Sequence, residues 1–534
     1  MDSNNKSRYD AVIVGGGMAG LTAAAYLARE KKRVLLLEKN NECGGLVNSF
    51  VSNGFLFDTG LRALEDAGII NPMLRDLGID MDCVRSYVSI GIENEIIHIE
   101  NKDDLDGYTE LLKRFFPENT EDINSIISQV RRVMRDMKVL YGIENPFFKD
   151  LKRDYQFIFT ELFPWLIKFI ITNNRINKMQ GPVEEYVDGL TSNRALRDII
   201  CQHFFQNTPV FFALSYFSLY LDYHYPLGGT GRLSKVVEEK ARSLGSEIKT
   251  GVLVTAIDVQ ARKVMDANGN EYAYEKLLWA ADQKYLYNHL ELKGCSEAVK
   301  EKAADRKKLI SGKRGGDSIF AVYLEVNADP SEFRKISHGH FFYSPSAEGV
   351  GDLIDVQLKN MLANWSDVSR DRVKQWALDL CRRQTYEISI PVLRDKAAAP
   401  PGKTGLIVSL LFDHSLCRRI DRDGWFESFK EIIETEIIDV LSTSVYPMLK
   451  ENLENVFSIT PLSIEKSVAS SDGAITGWSF TESVPAVNQV LKGKEAVRTV
   501  LPNILQAGQW TYSPAGVPMA ILTGKMAADE ILKK

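Results

Sequence analysis

Apolar residues fall along this chain in runs of several kinds. Tyr9 to Val14 (YDAVIV) and Val34 to Leu37 are short, nearly unbroken apolar stretches, the pattern of buried strands. Between them an Ala/Leu-rich stretch reads as a helix. Alternation from Ile248 to Val259, a hairpin-like Asp266-Ala267-Asn268-Gly269-Asn270 and the apolar stretch Lys276 to Ala281 predict further strands. Ser318 to Val326 and Gly405 to Phe412 read as strands of another sheet, and the basic stretch Arg306 to Arg314 as a solvated linker or helix face. After Gly60 the pattern becomes helical and charged through about Tyr141, and Asn145 to Tyr225 is crowded with aromatics. Asn503 to Gly508 is a short strand running into glycine, and Met519 to Leu532 is a helix pattern with Pro518 suited to its first turn.

The glycines stand where the first strand meets its helix. Gly15-x-Gly17-x-x-Gly20 follows Val14 at once. Gly15 lets the chain turn sharply, Gly17 removes a side chain so that backbone can approach a pyrophosphate, and Gly20 lets helix pack on sheet. Phosphates then sit at a helix N-terminus, where free N–H groups favour negative charge. Glu38 closes the second strand, where a carboxylate can accept hydrogen bonds from ribose hydroxyls. Strand, glycines, helix, strand and acid in this order predict a dinucleotide site, and both NAD and FAD use such a unit. No second GxGxxG opens a strand–helix unit in mid-chain, which speaks against a separate NAD(P)H domain.

Composition narrows the classes. At 534 residues the chain has room for two domains. A net charge of −6 argues against a nucleic-acid partner. Cys43, Cys83, Cys201, Cys295, Cys381 and Cys417 are scattered with no CxxC, against a disulfide scaffold, a zinc site or a dithiol centre. His338-Gly-His340 reads as loop residues, and no metal is expected. The polar start MDSNNKSR carries no apolar signal region. Phe157 to Thr172 is the nearest approach to a membrane span, but Glu161, Pro164 and Lys168 interrupt it. These features predict a cytoplasmic protein, with peripheral membrane contact as a further option.

Gly44-Gly45, six residues after Glu38, resembles the extended FAD signature of the amine oxidase and phytoene desaturase superfamily. Four blocks, Val12 to Gly60, Tyr225 to Asp282, Ile390 to Lys403 with Thr460-Pro461-Leu462 and Ser471-Asp472-Gly473, and Ala507 to Gly524, resemble its phytoene desaturase, carotenoid isomerase and retinol saturase branch. The chain departs from relatives at Leu46, where many amine oxidases carry arginine, at Gln509, where many carry an acid, and at Leu61-Arg62-Ala63. The resemblance implies an α/β fold: a Rossmann-type FAD-binding domain, discontinuous over 8–70, 225–300 and 456–534, plus an α+β substrate domain. The latter takes 71–224 and 301–455, with a mixed or antiparallel sheet and an aromatic-rich helical region at about 105–224.

FAD contacts are expected at Gly15, Gly17, Met18, Ala19 and Gly20, then at Glu38, Lys39, Gly44, Gly45 and Leu46. Val252 is expected by the adenine, and Gly508, Gln509, Gly516, Val517 and Pro518 complete the set. Arg62, in the loop after Asp58-Thr59-Gly60, is the first catalytic candidate, as an electrostatic stabiliser or substrate anchor rather than a base. Glu65, His203, Tyr223 and His224 are weaker ones. The middle aromatics serve as core or as the lining of a lipid channel, and Phe157 to Thr172 is also open to a place on a bilayer surface. The resemblance implies desaturation or saturation of C–C bonds in an apolar polyene, carotenoid, retinoid or isoprenoid-like lipid. A redox-neutral isomerase using reduced FAD, an amine-oxidase-like enzyme and a non-catalytic membrane-associated flavoprotein stand as alternatives. The electron donor or acceptor and the oligomeric state, a homo-oligomer included, stay open.

Overall fold

The computed structural model describes residues 8–149, 154–489 and 492–533. The polar start, residues 1–7, lies outside them. Two large sheets organise the chain. The first runs in the order Glu247–Lys249, Val34–Leu37, Arg8–Val14, Glu271–Trp279, Lys263–Asp266, Val254–Asp258 and Leu290–Glu291, with Ile504–Gln506 beside Glu271–Trp279. Val34–Leu37 is fully buried because the parallel part of this sheet is covered on both faces. Glu271–Trp279 does two jobs: its first half pairs antiparallel with Lys263–Met265, its second half parallel with Ile504–Gln506. It begins earlier than the predicted Lys276, because the hairpin partner continues it.

The second sheet runs Leu453–Ile459, Ser318–Val326, Thr404–Phe412, Tyr386–Ser389, His340–Ser344, Val88–Ile92 and Glu95–Ile99. It is antiparallel except where His340–Ser344 meets Val88–Ile92. The boundary expected at 456 falls inside its first strand. A ribbon, Ser49–Ser52 with Phe55–Asp58, reaches from the first unit onto this sheet, where Phe57 meets Tyr323 edge-on at 5.3 Å.

Two expectations need correction, and a third, the helix-face option for the basic stretch, is met with one inward-turned residue. The stretch from Gly60 to Tyr141 holds the strands Leu64–Glu65, Cys83–Arg85, Val88–Ile92 and Glu95–Ile99 before its helices Leu105–Phe115 and Thr120–Leu140. Short apolar runs are ambiguous in period, and pairing with the distant His340–Ser344 strand decides them. His340 is a buried strand residue, not a loop residue. The basic stretch at 306–314 is mostly the end of the Glu297–Ser311 helix, and Arg306 turns inward to Gln283 Oε1 at 2.9 Å and the Pro485 carbonyl at 2.7 Å.

The aromatic-rich middle divides. Phe204, Phe217, Tyr220 and Tyr223 are buried in a helical core with Tyr108 and Phe342. The Phe163–Ile176 helix behaves differently: Phe163 is 63 % exposed, Ile167 57 % and Ile171 58 %, and Phe159 just before it 73 %. Trp165, stacked on Phe169 at 4.5 Å, ties this helix down by donating to the Val139 carbonyl. No helix among the described residues is long and apolar enough to cross a membrane.

Candidate active site

A cavity of about 420 Å³ runs between the two sheets. Its first end is the turn from Arg8–Val14 into the Met18–Arg29 helix. Gly15 has φ +108°, and a Cβ there would stand 2.6 Å from the Ala280 carbonyl oxygen. A Cβ on Gly20 would stand 2.0 Å from the Gly15 oxygen, so Gly20 is demanded by helix-on-strand packing. Gly17 differs from both. Its φ of −74° and ψ of −179° suit any residue, and a Cβ there would meet nothing within 4 Å. Nothing among the described residues calls for glycine at 17; the free space is what a closely approaching ligand needs.

Two helix N-termini open on this cavity without a side-chain cap. One is the Met18–Arg29 helix behind Gly17, the other the Val517–Leu532 helix behind Gly516. Uncapped first-turn N–H groups beside a cavity need acceptors, and a dinucleotide carries them on its phosphates and ring carbonyls. The two helices pack closely: a Cβ on Gly524 would stand 2.3 Å from the Ala19 oxygen. Glu38 lies beside the glycine turn, accepting from Gly16 N–H at 2.7 Å and Asn40 N–H at 2.9 Å, with lone pairs left for ribose hydroxyls. The donor set therefore fits a dinucleotide.

All the expected contact residues line this cavity except Gly20, which lies under it as packing. Lys39 is turned to the Lys466 carbonyl at 3.1 Å, and burial lowers its pKa. Gln509 Nε2 reaches Ser470 Oγ at 3.4 Å. The loop carrying Arg62 is held by Asp58, which accepts from Tyr225 Oη, Thr230 N–H and Ser49 Oγ at 2.7–2.8 Å. Arg62 is buried at the cavity wall, donating to the Asp58 carbonyl at 2.5 Å and Ser409 Oγ at 2.8 Å. Its Nε has no hydrogen-bond partner among the described residues.

Beyond Arg62 the cavity widens into a chamber of Gln202, His203, Phe204, Phe205, Phe212, Tyr216, Tyr223, Phe342, Thr385 and Glu387. The aromatics thus supply lining as well as core. Glu65 and Tyr223 face it, whereas His224 is spent on the Asp222 carbonyl at 2.8 Å and is not part of the wall. Burial pushes His203 down to about 4, so it is neutral near pH 7. Burial and the neighbouring Asp222 push Glu65 up to about 7. Burial works on Glu387 too, but the hydrogen bond from His340 Nε2 at 2.9 Å and the charges of Arg62 and Arg394 outweigh it and leave its pKa below the usual value. The sequence offered no handle on Glu387, Thr385, Gln202 or Ser409. They reach the chamber from strands and helices far from any glycine motif, and only the closure of the second sheet brings them there.

Residues 13–77 match the family model of the NAD(P)-binding Rossmann-like domain. Over nearly the whole chain the sequence is similar to curated enzymes. It is 20% identical to the all-trans-retinol 13,14-reductase of Danio rerio, covering 94% of this chain and 82% of that protein. It is 22% identical to the 4,4'-diapophytoene desaturase (4,4'-diaponeurosporene-forming) of Staphylococcus aureus (strain COL), covering 98% of each. Among solved structures, putrescine oxidase bound to putrescine superposes with a TM-score of 0.58 at 13% identity over 99% of both chains. Cyclohexylamine oxidase from Brevibacterium oxydans does so with 0.59 at 11% over 98% of both. The chain thus has the two-sheet fold of these two oxidases, and its full-length sequence relatives include enzymes named for retinol reduction and diapophytoene desaturation.

Proposed function

We propose that this protein is an FAD-dependent oxidoreductase that desaturates or saturates C–C bonds of an apolar polyene or isoprenoid-like lipid. The observation that carries this is one continuous cavity. It joins a glycine cradle whose Gly17 has no reason of its own to lack a side chain to a chamber walled by Phe204, Phe205, Phe212, Tyr216 and Phe342. When bound, FAD supplies hydride transfer. Gly15, Gly17, Met18 and Ala19 would take its pyrophosphate and Glu38 its ribose, with Val252 by the adenine. Leu46, Gln509 and the Gly516–Val517–Pro518 helix start would hold the ring end. The N–H groups at that helix start favour negative charge beside them. Arg62, permanently charged and buried at the wall, would stabilise charge or hold a polar substrate end.

The apolar chamber excludes water and aligns a hydrocarbon by shape. The relatives named for retinoid and carotenoid chemistry support a substrate of that class. The exposed apolar face of Phe163–Ile176 supports peripheral contact with a bilayer, from which an insoluble substrate can enter. The test is direct. The purified protein is examined for a flavin spectrum, then incubated anaerobically, oxidised or chemically reduced, with all-trans-retinol or a diapophytoene. Bleaching of the oxidised form marks desaturation, reoxidation of the reduced form marks saturation, and absence of bound flavin refutes the proposal.

A further inference from the structure

Two carboxyl groups line the same chamber in opposite electrostatic settings. Glu387 is held as a carboxylate by His340, Arg62 and Arg394. Glu65 has no such support. Its backbone is fixed by the short antiparallel pairing of Leu64–Glu65 with Tyr223–His224. Its Oε1 stands 3.7 Å from where a Cβ on Gly516 would lie, so it sits in the cavity beside the start of the last helix. Asp222, Tyr141, Tyr216 and Tyr223 face it from neighbouring elements, and among the described residues no cation acts on it. Arg62, three positions away in sequence, turns its guanidinium to the Asp58 carbonyl and Ser409 Oγ, and its charge acts on Glu387. Asp222, the carboxylate that acts on Glu65, is itself engaged by the N–H groups of Asp66 at 3.0 Å and Ala67 at 3.3 Å. Burial and Asp222 hold the Glu65 carboxyl at about 7, where it gives and takes a proton under neutral conditions. Paired carboxyls whose surroundings separate their proton affinities divide into an acid and a fixed charge.

We propose that Glu65 is the proton-exchanging catalytic residue of this chamber, with Glu387 its fixed anionic counterpart. This rests on the oxidoreductase reading above. In the saturating direction the π bond of a C=C breaks. Bound reduced flavin would supply a hydride, and with it two electrons, to one carbon, and Glu65 would give its proton to the neighbour. Glu65 is left as carboxylate and is reprotonated from water. In the desaturating direction the Glu65 carboxylate would remove the proton, and bound oxidised flavin would supply the acceptor for the hydride of the adjacent carbon and its two electrons.

Two readouts test this. In the cofactor-free protein, an infrared difference titration from pH 5 to 9 shows a buried carboxyl component titrating near 7 that disappears in Glu65→Gln. Asp317, held at about 7 by its own burial elsewhere in the fold, keeps titrating in both proteins and serves as the internal reference. In the flavin-loaded protein, turnover of all-trans-retinol or a diapophytoene in deuterated water places solvent deuterium on one product carbon during saturation. Glu65→Gln lowers kcat by about a hundredfold with little change in KM or flavin affinity, and Glu65→Asp recovers part of it. The proposal is overturned if Glu65→Gln keeps the full titration, or keeps turnover within about twofold of wild type with an unchanged pH profile. A wild-type protein that holds no flavin, or reacts with neither lipid, refutes the oxidoreductase reading itself and Glu65 with it. A reactive wild type with an equally reactive Glu65→Gln refutes Glu65 alone.

Discussion

The substitution Gly17→Val separates what the fold needs from what the cofactor needs. The backbone at 17 is extended, a conformation valine favours, and an added Cβ meets no atom within 4 Å. The flavin-free protein should fold as before and gain up to about 1 kcal/mol, because the unfolded chain loses freedom. Binding should suffer instead. The added methyls stand where a pyrophosphate would approach the uncapped helix N-terminus. That approach combines a helix-terminal charge interaction of about 1 kcal/mol with a charge-assisted hydrogen bond of about 2 kcal/mol. Their loss, about 3 kcal/mol, weakens FAD binding roughly a hundredfold. Calorimetric unfolding of the flavin-free protein and a fluorescence titration with FAD measure the two quantities independently. Gly20→Val is the companion. Its Cβ would collide with the Gly15 oxygen at 2.0 Å, so it should destabilise the protein before any ligand is added. Normal FAD affinity in Gly17→Val, or unfolding of that variant without cofactor, would falsify the cradle argument.

Gly524→Ala should lower stability by about 2 kcal/mol, since its Cβ would stand 2.3 Å from the Ala19 oxygen and force the two helices apart; urea unfolding measures it, and an unchanged midpoint rejects that packing. Glu65 has a folded-state pKa of about 7 against an ordinary 4.5, so the native state binds its proton more tightly and wild-type stability falls as pH rises across that window. Glu65→Gln removes this loss, so the variant should be the more stable one at pH 8 by at most about 3 kcal/mol, with the gap closed near pH 4; a pH-independent gap contradicts the assignment. Arg62→Ala should lower turnover and move the flavin absorption bands, and a variant with both unchanged removes Arg62 from the site. Ile167→Glu with Ile171→Glu should weaken flotation with lipid vesicles while leaving thermal unfolding unchanged, because both side chains already face outward; equal flotation rules out that face as the membrane contact.

The glycine unit was legible in the sequence because its physics is local. Gly15, Gly17 and Gly20 follow a strand within a few residues, and turn, approach and packing are all decided over that distance. The closing block was legible for the same reason, with Gly508 and Gly516–Pro518 beside a short strand and a helix start. Departures came where pairing is long-range. Val88–Ile92 and His340–Ser344 carry little period of their own, and each becomes a strand because the other lies beside it. The aromatic run from Phe204 to Tyr223 was visible as a composition, but which rings line the chamber and which fill core depended on how the helices packed.

By itself, the sequence determined the glycine turn between the first strand and its helix, the acid that closes the second strand and the aromatic-rich composition of the middle of the chain. Tertiary structure alone decided the chemistry at the chamber wall. It turned the Arg62 guanidinium to the Asp58 carbonyl and Ser409, placed Glu387 under three cation or hydrogen-bond partners, and left Glu65 beside the last helix with no cation acting on it among the described residues. Proton affinity depends on burial and on charges brought from distant parts of the chain, so the two glutamates acquire different proton affinities only once the chain has folded around them.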